Sequence, residues 1–130
     1  MYGTKKSILV VDDDVDASRM VKLILEQTGL YTVRVCNVGS EALKTIQEVR
    51  PDLVLLDIMM PDADGADVAD QIQKDKSLSH TKIAFMTALV SQQEVRQGSV
   101  IGGHPFIPKP ITGEKLLQRV NGFFEIGKSL

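Results

Sequence analysis

The chain has 130 residues, 43% hydrophobic and 25% charged, with a net charge of −2. That is enough apolar material for the core of one domain, and it argues against a disordered chain or a nucleic acid or anionic membrane as the main partner. The single cysteine, Cys36, excludes an internal disulfide, and the absence of a signal peptide or membrane-spanning stretch points to a cytoplasmic protein.

Ile8 to Val11 is a continuous apolar run that reads as a buried strand. Val15 to Thr28 carries apolar residues at helical spacing (Ala17, Met20, Val21, Ile24, Leu25) and ends at Gly29, a C-terminal helix signal. Tyr31 to Cys36 is rich in β-branched residues and predicts a second strand. Ser40 to Val49 predicts a helix with Leu43 and Ile46 inward, stopped before Pro51; Leu53 to Leu56 is a third strand. Gly65 to Asp75 predicts a helix, Ile83 to Met86 a fourth strand, Gln92 to Ser99 a short or mobile helix with a thin apolar face. Phe106-Ile107 predicts a fifth strand, and Thr112 to Ile126 a last helix buried through Leu116, Leu117, Val120, Phe123 and Phe124.

Strand and helix alternate five times, which predicts an α/β fold with a parallel sheet covered on both faces. Right-handed crossovers favour a flavodoxin-like (βα)5 three-layer sandwich with strand order 2-1-3-4-5. One domain is expected over 1–130, with its core at 7–127 and no effector domain.

In such a sheet, ligands bind beyond the carboxyl ends of the strands. Asp12, Asp13 and Asp14 follow the first strand, Asp57 the third, Thr87 the fourth, and Lys109-Pro110 the fifth; Asn37 follows the second without an obvious catalytic group. Clustered carboxylates repel one another unless a cation joins them. Mg²⁺ fits, because it takes oxygen ligands from one or two carboxylates plus a phosphate. A carboxylate beside it can accept a phosphoryl group, whose oxygens a lysine and a hydroxyl then bind.

The segments ILVVDD (8–13), DLVLLDIMMPDADG (52–65), MTA (86–88) and FIPKP (106–110) together resemble the receiver domains of bacterial two-component response regulators. The resemblance implies that Asp57 is the phosphoacceptor, that Asp12 and Asp13 are the acidic pair, with Asp13 the preferred direct metal ligand, and that Met59 offers a backbone carbonyl to the metal. It implies that Thr87 follows the phosphoryl group, Lys109 pairs with it, Pro110 follows in what is often a cis peptide, and Phe106 is the aromatic switch. The implied reaction is transfer from a phosphohistidine of a histidine kinase or histidine phosphotransfer protein, followed by hydrolysis. Phosphorylation would draw Thr87 in and let Phe106 turn inward. Output to a downstream protein would then pass through the fourth helix, fifth strand and fifth helix, with a homodimer through Phe123 and Phe124 left open. The protein is expected not to be an enzyme beyond its own phosphorylation and dephosphorylation.

Other readings of the same residues are available. Asp12-x-Asp14 also resembles the nucleophile and acid of haloacid-dehalogenase-type phosphatases, although Asp16 stands where Thr or Val is expected and no cap domain follows. A calcium loop starting at Asp12 fails at Ala17 and Leu23. A receiver-like scaffold that works without phosphorylation is argued against by the complete set of acids, Thr87 and Lys109. Asp62 to Gly65 is expected to be a turn and helix start, and His80 and His104 solvent or loop residues. Pro108 suits an edge strand. In the receiver family that the motifs resemble, the positions of Met59 and Leu89, two residues past Asp57 and Thr87, flank the path of the attacking water, so their bulk implies slow self-dephosphorylation.

Overall fold

The computed structural model describes residues 5–88, 100–101 and 103–124. The first strand, β1 (Lys6–Val11), pairs in parallel with β2 (Tyr31–Cys36) on one side and β3 (Leu53–Asp57) on the other. β3 pairs with β6 (Lys82–Thr87), and β6 with β8 (His104–Pro108), again in parallel. The expected order 2-1-3-4-5 is therefore the observed β2-β1-β3-β6-β8. Within the main sheet one strand was not foreseen: β7 (Val100–Ile101) adds antiparallel to β8 opposite His104 and Pro105, so only the later part of β8 remains an edge among the described residues. A short hairpin, β4 (Met59–Met60) with β5 (Ala63–Asp64), lies apart from the sheet.

Alternation along each strand sorts the core into two layers. Leu9, Val11, Val54, Leu56, Phe85 and Phe106 face α2 (Ala42–Val49) and α3 (Gly65–Lys74), through Ala42, Ile46, Val68, Ala69 and Ile72. Ile8, Val10, Leu53, Leu55, Ala84 and Ile107 face α1 (Val15–Glu26) and α4 (Gly113–Phe123), through Val21, Leu25, Leu116 and Val120. Both faces of β1 and β3 are thus buried, which is why their sequences are continuously rather than alternately apolar.

Helix ends follow local chemistry. The carboxylates of Asp14 and Asp64 accept from the backbone N–H of Ala17 and Ala66, and the Thr112 hydroxyl from that of Lys115, opening α1, α3 and α4. Just past α1, Gly29 takes φ 76, a left-handed value that costs glycine little. Several boundaries move from the sequence reading. α2 begins at Ala42 because Gly39–Glu41 forms a tighter 3-10 turn, and α1 ends at Glu26 rather than Thr28. Met20 does not join the core: it is 57% exposed, and the buried stripe of α1 is Ser18, Val21 and Leu25. His104 is not a loop residue either. It lies within β8, half-buried, with its ring edge-on to Phe85 at 5.8 Å between centroids. Phe123 and Phe124 are only partly buried against the α1–α4 layer. The helix expected over Gln92 to Ser99 and the residues Leu89 and Ile126 lie outside the described residues.

Candidate functional site

Strand register assembles the site. Val11 stands opposite Leu56, which brings Asp12 abreast of Asp57. Asp57 pairs with Met86, and Thr87 with Pro108, so Thr87 and Lys109 come one residue later on the next two strands. The four groups anticipated after β1, β3, β6 and β8 thus meet at one rim.

Three carboxylates define its floor. One oxygen from each of Asp12, Asp13 and Asp57 lies within 4.8 Å of the others, close enough to share one cation. Asp12 and Asp57 are buried, at 5% and 9% exposure, while Asp13 is exposed. Lys109 bridges the two buried acids, with Nζ 2.5 Å from Asp12 Oδ2 and 3.3 Å from Asp57 Oδ2. The other Asp57 oxygen, Oδ1, accepts from the Met59 backbone N–H at 3.2 Å. Asp57 is thereby held from two sides, with a lysine on one oxygen and the hairpin on the other.

Electrostatics agree with that crowding. Burial pushes the Asp57 carboxyl above its ordinary value; Lys109 pulls it back down and Asp12 pushes it up again, with a net rise. For Lys109, burial disfavours the charge, but its bonds to Asp12 and then Asp57 outweigh this and raise it overall. An all-oxygen donor set, partly buried and short of positive charge, suits a hard divalent ion. Asp12, Asp13 and Asp57 are the residues that would hold it.

The loop beyond Asp57 depends on one glycine. A Cβ at Gly65 would sit 2.3 Å from the Asp57 carbonyl oxygen and 2.7 Å from Ile58 Cα, so only glycine lets α3 start so close behind the end of β3. The Gly65 N–H donates to the Ile58 carbonyl at 2.8 Å, closing the hairpin that carries Met59. Met59 itself is 62% exposed above the rim.

Thr87 is 1% exposed, and its carbonyl accepts from the Lys109 N–H at 2.9 Å. The Lys109–Pro110 peptide is cis. Phe106 is buried at 3%, already in the inward position that the switch reading assigns to the phosphorylated form, and Arg119 of α4 donates to its carbonyl at 2.8 Å.

Two supporting residues were missed. Asn37 donates through Nδ2 to the Asp12 carbonyl at 2.7 Å and to Ser18 Oγ at 2.9 Å, fixing the end of β1 against α1. Its place directly after β2, abreast of Asp12, was the available signal. Asp62 accepts from the N–H groups of Gly39 and Ser40, both at 3.1 Å, and ties the hairpin to the start of the α2 region; these bonds, Ser40 first, hold its carboxyl below the usual range. Only long-range contact reveals that role.

Comparison with known proteins is uniform. The family model described as response regulator receiver domain matches residues 8–121. The DNA-binding response regulator MtrA of Mycobacterium tuberculosis is 37% identical over 120 residues, covering 92% of this chain and 51% of the relative. This chain therefore spans about half the length of that regulator. The polar-differentiation response regulator DivK of Brucella anthropi is 31% identical, with 91% of this chain and 95% of DivK covered. Among solved structures, the BeF3-activated DrrB receiver domain matches at TM-score 0.76 and 30% identity, covering 94% and 99% of the two chains. Chemotaxis protein CheY4 of Vibrio cholerae matches at TM-score 0.78 and 27% identity, covering 92% of this chain and 98% of CheY4.

Proposed function

The chain belongs to the response regulator receiver domain family, and from that premise we propose that it is a phosphorylation switch whose acceptor is Asp57. The observation that carries this is the bridge of Lys109 to Asp12 and Asp57 within the three-carboxylate cluster. A bound Mg²⁺ supplies charge neutralisation for the transferring phosphoryl group. Asp12, Asp13 and Asp57, with the Met59 carbonyl, are the groups that would hold it. The donor is a phosphohistidine of a histidine kinase or phosphotransfer protein. An Asp57 carboxylate oxygen forms the bond to phosphorus while the phosphorus–nitrogen bond breaks, and the freed imidazole takes up a proton.

Lys109 then moves its charge from Asp12 toward the phosphoryl oxygens, a short displacement because it already reaches Asp57. Thr87 binds a second oxygen. Because Phe106 is already inward, phosphorylation stabilises that packing rather than creating it, and biases the surface around β8 and α4 that a downstream partner reads. The reaction is self-modification and not substrate turnover. A phosphatase using Asp12 and Asp14 is disfavoured because the Asp14 carboxylate is spent on the Ala17 N–H at the start of α1. Among the described residues no helix is long and apolar enough to cross a membrane, and a cytoplasmic setting fits the proposed kinase partner.

The test is incubation with acetyl phosphate and Mg²⁺ followed by intact-mass measurement. One phosphoryl group adds to the wild type and none to Asp57→Asn, and chelation of Mg²⁺ removes the labelling. Labelling of Asp57→Asn, or full labelling without a divalent ion, overturns the proposal.

A further inference from the structure

The segment that follows β2 is fastened to both sides of the acidic rim. On the β1 side, Asn37 donates to the Asp12 carbonyl at 2.7 Å. On the Asp57 side, the N–H groups of Gly39 and Ser40 each donate to one oxygen of the Asp62 carboxylate, both at 3.1 Å. Between these ends the Val38 carbonyl accepts from the Glu41 N–H at 3.0 Å and from the Cys36 thiol at 3.2 Å, so the segment is itself held in shape. Residues 37–40 thus form a strap from Asp12 to the turn of the β4–β5 hairpin, where Asp62 stands.

The strap and the hairpin touch closely. A Cβ at Gly39 would sit 2.8 Å from both Ala63 Cβ and Asp62 Oδ1, and 3.2 Å from Met60 Sδ, so the hairpin lies directly on the Gly39 backbone. The hairpin needs such a hold, because its strands are two residues each and so short a ribbon is not stable alone. At its base the Gly65 N–H donates to the Ile58 carbonyl and the Met59 N–H to Asp57 Oδ1. Met60 and Ala63 pack partly against the α2–α3 layer, whereas the Met59 side chain is 62% exposed and anchors nothing. Asp62 supplies the fastening at the far end. It is an exposed acid, yet it spends both oxygens on backbone N–H groups more than twenty residues earlier, and bonds to an ionised acceptor are the strong kind.

We propose that Asp62 is a positioning residue for the divalent cation: by pinning the hairpin turn to the strap, it holds the Met59 carbonyl in place relative to Asp12 and Asp57. This rests on the Mg²⁺-dependent switch proposed above. Losing the tie leaves the three carboxylates untouched and loosens the hairpin alone, so the cation is bound more weakly although none of its acids has changed.

The experiment compares the isotopically labelled wild type with Asp62→Ala, Asp62→Asn and Gly39→Ala, each checked for folding by circular dichroism. The two Asp62 variants lose the same charge, but asparagine keeps a carbonyl oxygen for the strap. Gly39→Ala crowds the same contact from the strap side and removes no charge. In EDTA, Asp62→Ala is expected to speed amide hydrogen exchange at Gly39 and Ser40 and also at Met59, whose N–H is bonded to Asp57. In a Mg²⁺ titration followed by amide shifts, its affinity is expected to fall roughly three- to tenfold. Asp62→Asn should lie nearer the wild type, and Gly39→Ala should also bind more weakly. The Mg²⁺ needed for half-maximal acetyl phosphate labelling should rise by the same factor, with the rate at saturating Mg²⁺ changed far less. Unchanged affinity in Asp62→Ala or Gly39→Ala, equal losses in the two Asp62 variants, or unchanged Met59 exchange each overturns this proposal alone. A wild type that binds no Mg²⁺ overturns the switch, and this proposal with it.

Discussion

The two ends of the sheet use charge in opposite ways. At the amino ends of the strands, polar groups are paired off. Asp52 accepts from the Ser7 N–H at 2.8 Å while its own N–H donates to the Ser7 carbonyl at 2.8 Å, and its carbonyl takes the Lys82 N–H at 2.9 Å. Thr81 reaches the Pro51 carbonyl at 2.9 Å, and Lys82 Nζ the Phe123 carbonyl at 2.5 Å. At the carboxyl ends, three carboxylates cluster with one lysine that bridges only Asp12 and Asp57, and Asp57 is held above its ordinary pKa. One end knits the strands together; the other leaves carboxylates crowded, the repulsion that the proposed cation and phosphoryl group would relieve. The difference teaches where this chain gives up stability for function.

Asp57→Asn probes that difference hardest. It is expected to abolish phosphoryl uptake and yet to raise stability, because a carboxylate the fold disfavours becomes neutral. The gain is on the order of 1 kcal/mol, kept small by solvent at the open rim. Its pH dependence has a definite sign. With the folded pKa raised above the ordinary 3.8, the wild type is favoured by a protonated Asp57 at low pH and loses that advantage as pH rises through the folded value. Denaturation midpoints of variant and wild type therefore converge near pH 3 to 4 and separate toward pH 7. A gap that closes on raising the pH would show that Lys109 overcompensates the rim.

Gly65→Ala acts on the same end through backbone. The added methyl must displace the Asp57 carbonyl or α3, at an expected cost of about 3 kcal/mol together with slower labelling of Asp57. Asp52→Ala, at the opposite end, removes the acceptor for Ser7 and is expected to cost about 1 to 2 kcal/mol in urea denaturation while leaving labelling unchanged. Loss of labelling there would mean that the amino ends help set the rim.

Much of this division was legible in the sequence. Ile8 to Val11 and Leu53 to Leu56 are apolar at every position, which only burial on both faces explains, and that in turn fixes which residues reach the rim. Asp12, Asp13 and Asp57 follow those runs, and Thr87 and Lys109 come at the ends of the fourth and fifth strands, so strand order was enough to gather them. Partnership within the cluster was not legible. That Lys109 sits nearer Asp12 than Asp57, that Asn37 braces Asp12, and that Asp62 crosses to Gly39 and Ser40 all depend on distances between segments far apart in the chain. β7 was missed for a similar reason, since two residues in a strand leave no periodicity to read. Met20 and His104 misled because residue type and spacing state a preference for burial without the neighbour that decides it.

The smallest expected effect offers the finest test of the contrast. Lys82 is exposed, with Nζ on the Phe123 carbonyl and 5.7 Å from the Phe124 ring centroid; Lys6 stands 5.8 Å from the same centroid. Lys82→Met keeps the length of the side chain and removes its charge, and is expected to cost about 0.5 to 1 kcal/mol. With Lys6→Met added, the two losses should fall short of their sum or exceed it, because both cations share one ring and residues with a common partner couple. Labelling of Asp57 should not change in either variant. The strands joining the two ends are buried and paired in register, so a change at the amino end that leaves β6 in register is not expected to move Thr87 relative to Asp57. A labelling rate that follows Lys82 would show that β6 transmits strain along its length, and the separation between a knit end and a reactive end would have to be abandoned.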